Sequence, residues 1–366
     1  MSKAETYTVK GISILLIFFI HLYSFPERLA GGGLNYIISV FDMPLITLLG
    51  DFGRIGLYSF FFISGYGIFK SSQTKGMHLI SRIKKLYFTY WKVFLIFIPI
   101  AFLFFRNQPV YCANESICTK YKTFIWAEFL SNLLGISDTY NPEWWYFRTY
   151  LISLLTFPFV KSFIEKHSSV INIFSLFVAT ILISSVFPAL ADSSVLGRLS
   201  NNFLYETFLC QSVPYTAFFW AGSVLAKDDL LMQLREVLRS CQLSNVFFDT
   251  GIILAIIFFV YTGIRELMFL LYVPVFIAVA LDLVKRWKFA DKVLSQLGMQ
   301  SANIWLIHSF LLYYFYPFAK IITCTRYAVP SLIILTIFSY ISAIAVNYIW
   351  KFVDRICTPI LNHISK

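Results

Sequence analysis

The chain has 366 residues, of which 58% are hydrophobic, 19% aromatic and 13% charged. Soluble domains carry about 25% charged residues, so this composition excludes an ordinary soluble protein and is typical of one that crosses a membrane many times. The net charge of +11 comes from lysines and arginines spread through short segments. Because they form no compact basic and aromatic patch, a nucleic-acid-binding protein is also excluded.

Apolar segments of about 20 residues, the length that a helix needs to cross the hydrocarbon layer, recur along the chain. Only helices and closed barrels satisfy the backbone inside lipid. We therefore predict an all-α, polytopic membrane helix bundle in which residues 1–366 form a single transmembrane domain without a separate soluble domain. The predicted spans, about ten in number, are 11–26, 53–70, 86–105, 144–161, 170–190, 204–226, 246–264, 267–284, 303–322 and 329–352.

The segment 34–49 is also apolar but contains Asp42 and Pro44. It is predicted to be an interfacial or re-entrant helix rather than a further span.

The distribution of lysine and arginine predicts the orientation. These residues favour one side of the predicted bundle by about two to one, which places both termini in the cytoplasm. The longest loop, around 106–143, then faces outside and contains Cys112 and Cys118. An oxidising compartment would allow them to form a disulfide, and two free thiols are the alternative. No cysteine spacing indicates a metal site.

The first span contains one ionisable group, His21, and a second, Lys10, lies at its entrance. Lys10 and His21 are eleven positions apart, which puts them on one helical face at roughly 16 Å along the axis. An ionisable group at membrane depth is costly and suggests a function, and histidine is suited to proton transfer near neutral pH. The alternatives are a histidine hydrogen-bonded inside the bundle and a lysine that extends to the lipid headgroups.

Two other motifs permit both a functional and a structural interpretation, and two more have a structural one. Arg82-Ile83-Lys84-Lys85 is either a phosphate clamp or an ordinary cytoplasmic basic cluster. Glu143-Trp144-Trp145-Tyr146-Phe147-Arg148 is either a sugar-binding rim or an interfacial aromatic belt. Ser64-Gly65-Tyr66-Gly67 indicates close helix packing, and His308 suits a hydrogen-bonded histidine within the bundle.

Four stretches, in this order, resemble the signatures of the acyltransferase-3 family of integral membrane acyltransferases. They are Lys10 through His21, Gly53 through Tyr66, Arg82 through Leu86 followed by Tyr90-Trp91, and Leu297 through His308. The last is the most specific, and Trp144-Trp145-Tyr146-Phe147 is a looser fifth match. Lys10 and Lys85 replace the commoner arginines, and Tyr58 stands where many relatives have aspartate.

The resemblance implies an O-acetyltransferase of the bacterial cytoplasmic membrane. The donor would be acetyl-CoA from the cytoplasm, the acceptor a hydroxyl of a polysaccharide or lipid-linked glycan, and His21 a general base or transient acyl carrier. No metal is implied. Further site residues are implied as follows: Lys10, Arg82, Lys85 and Tyr66 for CoA, Glu143, Trp145 and Arg148 for the acceptor, and Ser64, Ser301 and His308 as further motif positions.

Two other classes remain open from the residues alone. A lipid-linked oligosaccharide transporter or polymerase would share the spans, basic loops and aromatic rims without CoA chemistry. A non-catalytic membrane subunit would tolerate substitution of Lys10, His21 and Arg82.

Overall fold

Long apolar runs fold into helices because a helix pairs its own backbone groups, and the structure follows this rule almost throughout. The computed structural model describes residues 1–30, 33–40, 42–108, 120–186, 212–240, 245–262 and 267–364. Within these ranges the only strands are a short hairpin, β1 (Ser39–Val40) and β2 (Met43–Pro44). The predicted all-α fold is confirmed.

The helices of the described ranges are numbered in chain order. They are α1 (Lys3–Phe19), α2 (Leu45–Phe52), α3 (Arg54–Lys75), α4 (Leu79–Phe104), α5 (Trp126–Leu133), α6 (Trp145–Lys166), α7 (Ser169–Ile181), α8 (Val213–Lys227), α9 (Leu230–Ser240), α10 (Val246–Tyr261), α11 (Phe269–Lys285), α12 (Lys288–Met299), α13 (Ser301–Ser309), α14 (Tyr316–Ile322) and α15 (Ala328–Ile364). Short π-helical segments at Ile20–Ser24, Leu182–Val186 and Phe310–Tyr314 extend α1, α7 and α13, and 3₁₀ turns lie at Pro26–Arg28 and Pro142–Trp144.

Among the described residues, four helical stretches are long and apolar enough to cross a bilayer. They are Lys3–Ser24, Leu45–Lys75, Leu79–Phe104 and Ala328–Ile356. Two shorter apolar helices are Ser169–Ile181 and Val246–Tyr261. These stretches support a membrane protein, whereas the count of about ten spans and the cytoplasmic termini stay predictions.

The segment predicted as an interfacial or re-entrant helix, 34–49, has a different structure. It contains the β1–β2 hairpin and the beginning of α2, which leads directly into α3. A proline at the end of β2 cannot continue a helix on its N-terminal side, so only the last part of the segment is helical.

By internal contacts the chain forms two compact units. The first comprises 1–20, 47–84 and 145–298, and the second comprises 21–46, 85–144 and 299–366. The assignment of 1–366 to one transmembrane domain stays a prediction.

Within the first unit, glycines bring α3 and α8 into backbone contact. A Cβ on Gly65 would lie 1.8 Å from the carbonyl oxygen of Phe219, and one on Gly222 would lie 1.9 Å from that of Phe62. Ser223 adds a hydrogen bond from Oγ to the Gly65 carbonyl at 3.2 Å. Small residues allow helices to approach this closely inside membranes. Gly65 therefore makes the close contact that its motif indicates.

Two glycines of the same motif provide a matched stability test. Gly65→Ala is expected to push α3 and α8 apart and to lower the free energy of unfolding by about 1–3 kcal/mol. A Cβ on Gly67 would meet nothing within 4 Å, so Gly67→Ala should be neutral or slightly stabilising through helix propensity. Thermal unfolding of both purified variants in one detergent checks this difference. Equal melting temperatures would contradict the packing role of Gly65.

The first unit also holds a buried ionic network at the beginning of α1. The Arg235 side chain is only 4% exposed, and its Nη1 lies 2.5 Å from Glu5 Oε1. Its Nη2 lies 2.6 Å from Oδ1 of Asp282, which is 5% exposed. Arg239 also reaches Asp282 Oδ1 at 2.6 Å but is 51% exposed. Glu5 completes a capping box with Ser2, so the network joins α1 to α9 and α11.

Candidate functional site

The second unit contains a pair of neighbouring histidines, of which His308 is buried and His21 is half-buried. His21 lies in the π-helical segment after α1, and His308 lies near the end of α13. Their ring centroids are 4.8 Å apart, and His308 is 0% exposed. Segments of π-helix are frequent at functional sites because they shift side chains away from the regular helical spacing. The structure thus brings together the two histidines that the family resemblance singled out.

Hydrogen bonds define which nitrogen of His21 carries the proton. The hydroxyl of Tyr313 donates to the His21 backbone carbonyl at 2.6 Å. The same hydroxyl lies 3.2 Å from His21 Nδ1. A tyrosine has one proton to donate. Since that proton is committed to the carbonyl, His21 Nδ1 donates to the hydroxyl oxygen and Nε2 carries the lone pair.

His308 adopts the same tautomer for a similar reason. Its Nδ1 lies 2.6 Å from the carbonyl oxygen of Trp305, which can only accept a hydrogen bond. Neutral His308 therefore carries its lone pair on Nε2. Two adjacent imidazoles with basic Nε2 atoms can bind, transfer or receive a proton, and either can act as a nucleophile.

A set of aromatic and charged contacts extends from His21 to Glu143. The His21 ring lies 6.4 Å from the Phe25 ring, over which the Arg28 guanidinium is placed at 4.2 Å. Arg28 Nη1 is 3.7 Å from Glu143 Oε1. Glu143 also accepts a hydrogen bond of 2.6 Å from the Tyr314 hydroxyl. Its carboxylate is thus buried and engaged rather than exposed on an open rim.

The segment before α6 supports the helix that carries His308. Asn141 and Ser309 exchange hydrogen bonds, with Asn141 Nδ2 donating to Oγ at 2.8 Å. The Trp144 indole donates to the Leu306 carbonyl at 3.0 Å. Sequence reasoning assigns Trp144 to a rim and does not select Tyr313, Asn141 or Ser309. A polar side chain in an apolar run is the available signal for Tyr313 and Ser309, whereas Asn141 lies in a polar stretch without such a signal.

The other predicted site residues are divided between the units. The first unit holds Lys10, Ser64, Tyr66, Arg82, Trp145 and Arg148, and the second holds Lys85, Glu143, Ser301 and His308. Arg82 donates to Ser71 Oγ at 2.9 Å and to the Met77 carbonyl at 3.1 Å. In the first unit Arg148 is buried, and the Trp145 ring lies 4.6 Å from that of Tyr215.

Tyr66 takes part in a polar cluster beyond the end of α8. Its hydroxyl donates to Asp229 Oδ1 at 2.7 Å, and Lys70 Nζ lies 2.7 Å from Oδ2. Partial burial alone would raise the pKa of the Asp229 carboxyl. The hydrogen bonds from Lys70 and Tyr66 outweigh burial and hold that pKa below its usual value. Tyr66 is therefore already engaged by a carboxylate.

Among the described residues, no group of three or more His, Cys, Asp or Glu side chains is arranged to hold a metal ion. Cys112 and Cys118 lie outside those residues, so their disulfide stays a prediction. Cys324 is a free thiol.

The fold and the site define a helical membrane protein in which two histidines lie side by side. The sequence matches a family model described as an acyltransferase domain over residues 8–350. The chain belongs to this acyltransferase-3 family, which confirms the resemblance seen in its motifs. Searches of curated proteins and of solved structures gave no significant match.

Proposed function

We propose that this membrane acyltransferase moves an acetyl group from cytoplasmic acetyl-CoA to a hydroxyl of a polysaccharide or lipid-linked glycan in a bacterial cytoplasmic membrane. The observation that carries the proposal is the orientation of His21. Its Nδ1–H is engaged by Tyr313, so the basic Nε2 is left for chemistry.

In the general-base route, Nε2 of His21 takes the proton of the acceptor hydroxyl. The hydroxyl oxygen then attacks the thioester carbonyl carbon, the C–S bond breaks, and the imidazolium returns the proton to the CoA thiolate. In the covalent route, Nε2 attacks the thioester carbonyl, the C–S bond breaks, and the CoA thiolate leaves an acyl-imidazole behind. The acceptor hydroxyl then attacks the acyl carbon, the C–N bond breaks, and the hydroxyl proton passes to the CoA thiolate. In either route, His308 is proposed to exchange a proton near the same centre, and the 4.8 Å between the two ring centroids supports this role.

Basic residues are proposed to bind the acetyl-CoA donor. CoA is multiply anionic, and Lys10, Arg82 and Lys85 supply the cations suited to its phosphates. Tyr66 is also proposed to contact CoA, with its ring rather than its hydroxyl, whose one proton is donated to Asp229.

We propose that the acceptor is bound by Glu143, Trp145 and Arg148. Because Glu143 contacts Tyr314 and Arg28, we favour a role for it in positioning the residues around the histidine pair where the acceptor would bind. Arg28 thereby joins the residues to be tested for acceptor binding.

Membranes containing the protein should transfer label from [¹⁴C-acetyl]CoA to added glycan, with matched membranes lacking it as the control. Proton NMR of the surface glycan, with and without the gene, should show an O-acetyl signal that depends on the gene. If the membranes transferred no label and cells without the gene failed to export or extend the glycan, the transporter or polymerase alternative would be favoured. If removing the gene changed neither the acetylation nor the export and length of the glycan, a non-catalytic subunit would be favoured.

Tyr313 is predicted to be a positioning residue for His21. Tyr313→Phe removes the acceptor for Nδ1–H and frees the imidazole to rotate. We expect kcat to fall about 10–100-fold, equivalent to about 1.4–2.7 kcal/mol, with KM for acetyl-CoA little changed.

Tyr23→Phe is the matched control for Tyr313→Phe. Tyr23 lies in the same π-helical segment as His21 and donates to the Ala328 carbonyl at 3.2 Å. The Tyr23→Phe variant should lose about as much stability as Tyr313→Phe but keep the wild-type kcat. Equal kcat values for the two variants would show that Tyr313 serves stability alone.

A further inference from the structure

The segment from Tyr121 to α5 packs along α4, starting near the C-terminal end of that helix and running back toward its N-terminal end. The Phe102 ring of α4 lies 5.6 Å from Tyr121 and 5.5 Å from Phe124. Eight residues earlier on α4, the Phe94 ring lies 5.3 Å from Phe129. As residue numbers rise along the segment, they fall along α4. The segment therefore runs antiparallel to this candidate span.

The same direction continues to the end of α5. Three side chains of α4 donate to three successive carbonyls there: Tyr90 Oη to Asn132 at 2.7 Å, Trp91 Nε1 to Leu133 at 2.8 Å, and Tyr87 Oη to Leu134 at 2.9 Å. Between Phe102 and Tyr87 the helix rises about 22 Å, at about 1.5 Å per residue. The segment thus reaches most of the way along a helix that is long enough to cross the bilayer.

The chain turns back after this point. Gly135 has a positive φ of 71°, which suits a tight reversal. Asn132 then joins the two limbs, with Nδ2 donating to Thr139 Oγ1 at 2.8 Å and Oδ1 accepting from Tyr140 N at 3.2 Å. The Tyr121 hydroxyl also donates to the Tyr140 carbonyl at 2.7 Å. The result is a hairpin that enters and leaves on the same side.

The hydrogen bonds suit a location inside lipid. The last carbonyls of a helix have no partner within it, and in hydrocarbon each unpaired carbonyl costs several kcal/mol. Trp91 and Tyr87 donate to the Leu133 and Leu134 carbonyls and remove that cost. Tyr90 adds a second donor to the Asn132 carbonyl, which also accepts from Gly135 N at 2.9 Å. In water these carbonyls would be hydrated without help.

The outward surface of α5 is apolar. Trp126, Leu130 and Leu134 recur at a spacing of four and are 69%, 50% and 49% exposed. Glu128 and Ser131 occupy the opposite side of the helix at this spacing. The exposed apolar surface continues along α4, where residues such as Leu95 and Leu103 are 45% and 73% exposed.

We propose that residues 121–140 form a re-entrant hairpin, with Trp126, Leu130 and Leu134 packed against the hydrocarbon chains of membrane lipids. This revises the expected outer loop around 106–143, because most of its described part lies beside a span. The proposal depends only on α4 crossing the bilayer. It would hold even if the transferred group or the acceptor were different.

Collision measurements by electron paramagnetic resonance test this location directly. A nitroxide attached to p-acetylphenylalanine, placed singly at Leu130, Leu134 or Lys122, leaves the six native cysteines in place. The full chain is reconstituted in phosphatidylcholine and phosphatidylglycerol vesicles. Oxygen concentrates in hydrocarbon, whereas a neutral nickel chelate stays in water.

At Leu130 and Leu134, the ratio of oxygen to nickel collisions should exceed that at Lys122 at least several-fold. Lys122 lies before α5 and is exposed. Ratios at Leu130 and Leu134 equal to that at Lys122 would place α5 in water and overturn the proposal. Circular dichroism spectra and melting temperatures equal to those of the unlabelled chain would show that the result describes the folded protein.

Discussion

His21→Ala is expected to abolish measurable acetyl transfer while the protein is still made and inserted. The change removes the Nε2 lone pair, which we propose either abstracts the acceptor proton or attacks the thioester. Loss of a general base alone costs about 10²–10⁴-fold in rate, and loss of a nucleophile costs at least as much. Transfer of labelled acetyl groups by membranes with equal amounts of each protein measures the effect.

An amide at position 21 separates chemistry from packing. In His21→Asn, the side-chain NH₂ can still donate toward Tyr313 from a place close to that of Nδ1. The amide provides no basic nitrogen. This variant should unfold near the wild-type temperature yet be as inactive as His21→Ala. Activity of His21→Asn within a few-fold of wild type would refute the proposed role of Nε2.

A histidine outside the pair provides the control. His167 lies beyond α6 and its Nδ1 contacts the Phe163 carbonyl at 2.9 Å. His167→Ala should retain activity, because His167 is assigned to neither the acetyl-CoA site nor the glycan site. Hydroxylamine reacts with the acetyl-CoA thioester in either route, so the covalent route is indicated only if hydroxamate forms faster with the wild type than with His21→Ala.

The sequence predicts the helical fold and identifies His21 and His308 but cannot show that they meet. Periodicity and hydropathy depend on neighbours along the chain, whereas the contact between His21 and Tyr313 joins positions 292 residues apart. The π-helical segments that orient these side chains cannot be predicted from the sequence either, because a π-helical turn with one extra residue has the same apolar composition as an α-helical turn.

Charged residues show a second limit of the sequence. Counting lysines and arginines predicts orientation, but it cannot show which charges already have partners. In the sequence Arg235 is one basic residue among many on the predicted cytoplasmic side, yet it is buried between two carboxylates. Arg82 is predicted to bind phosphate and donates to Ser71 and to a backbone carbonyl. Such pairings depend on how helices pack, which the composition of a loop does not encode.

Arg235→Met is expected to cause the largest loss of stability among the predicted variants. Methionine nearly preserves the volume of the arginine stem but removes the charge between Glu5 and Asp282. Breaking one partner of a buried ion pair typically costs about 3–5 kcal/mol, because a carboxylate remains buried without compensation. Unfolding of the purified protein in mixed micelles, monitored by circular dichroism, measures the change.

Arg239→Met is the matched control, since it removes a cation from the same carboxylate at a site that is 51% exposed. Exposed ion pairs contribute about 0–1 kcal/mol, so this variant should remain close to wild type. Adding Asp282→Leu and Glu5→Gln to Arg235→Met removes the stranded charges and should restore much of the loss. If Arg235→Met and Arg239→Met were equally mild, the network would not fasten α1 to α9 and α11. If the triple variant recovered nothing, the loss would come from packing of the arginine stem rather than from buried charge.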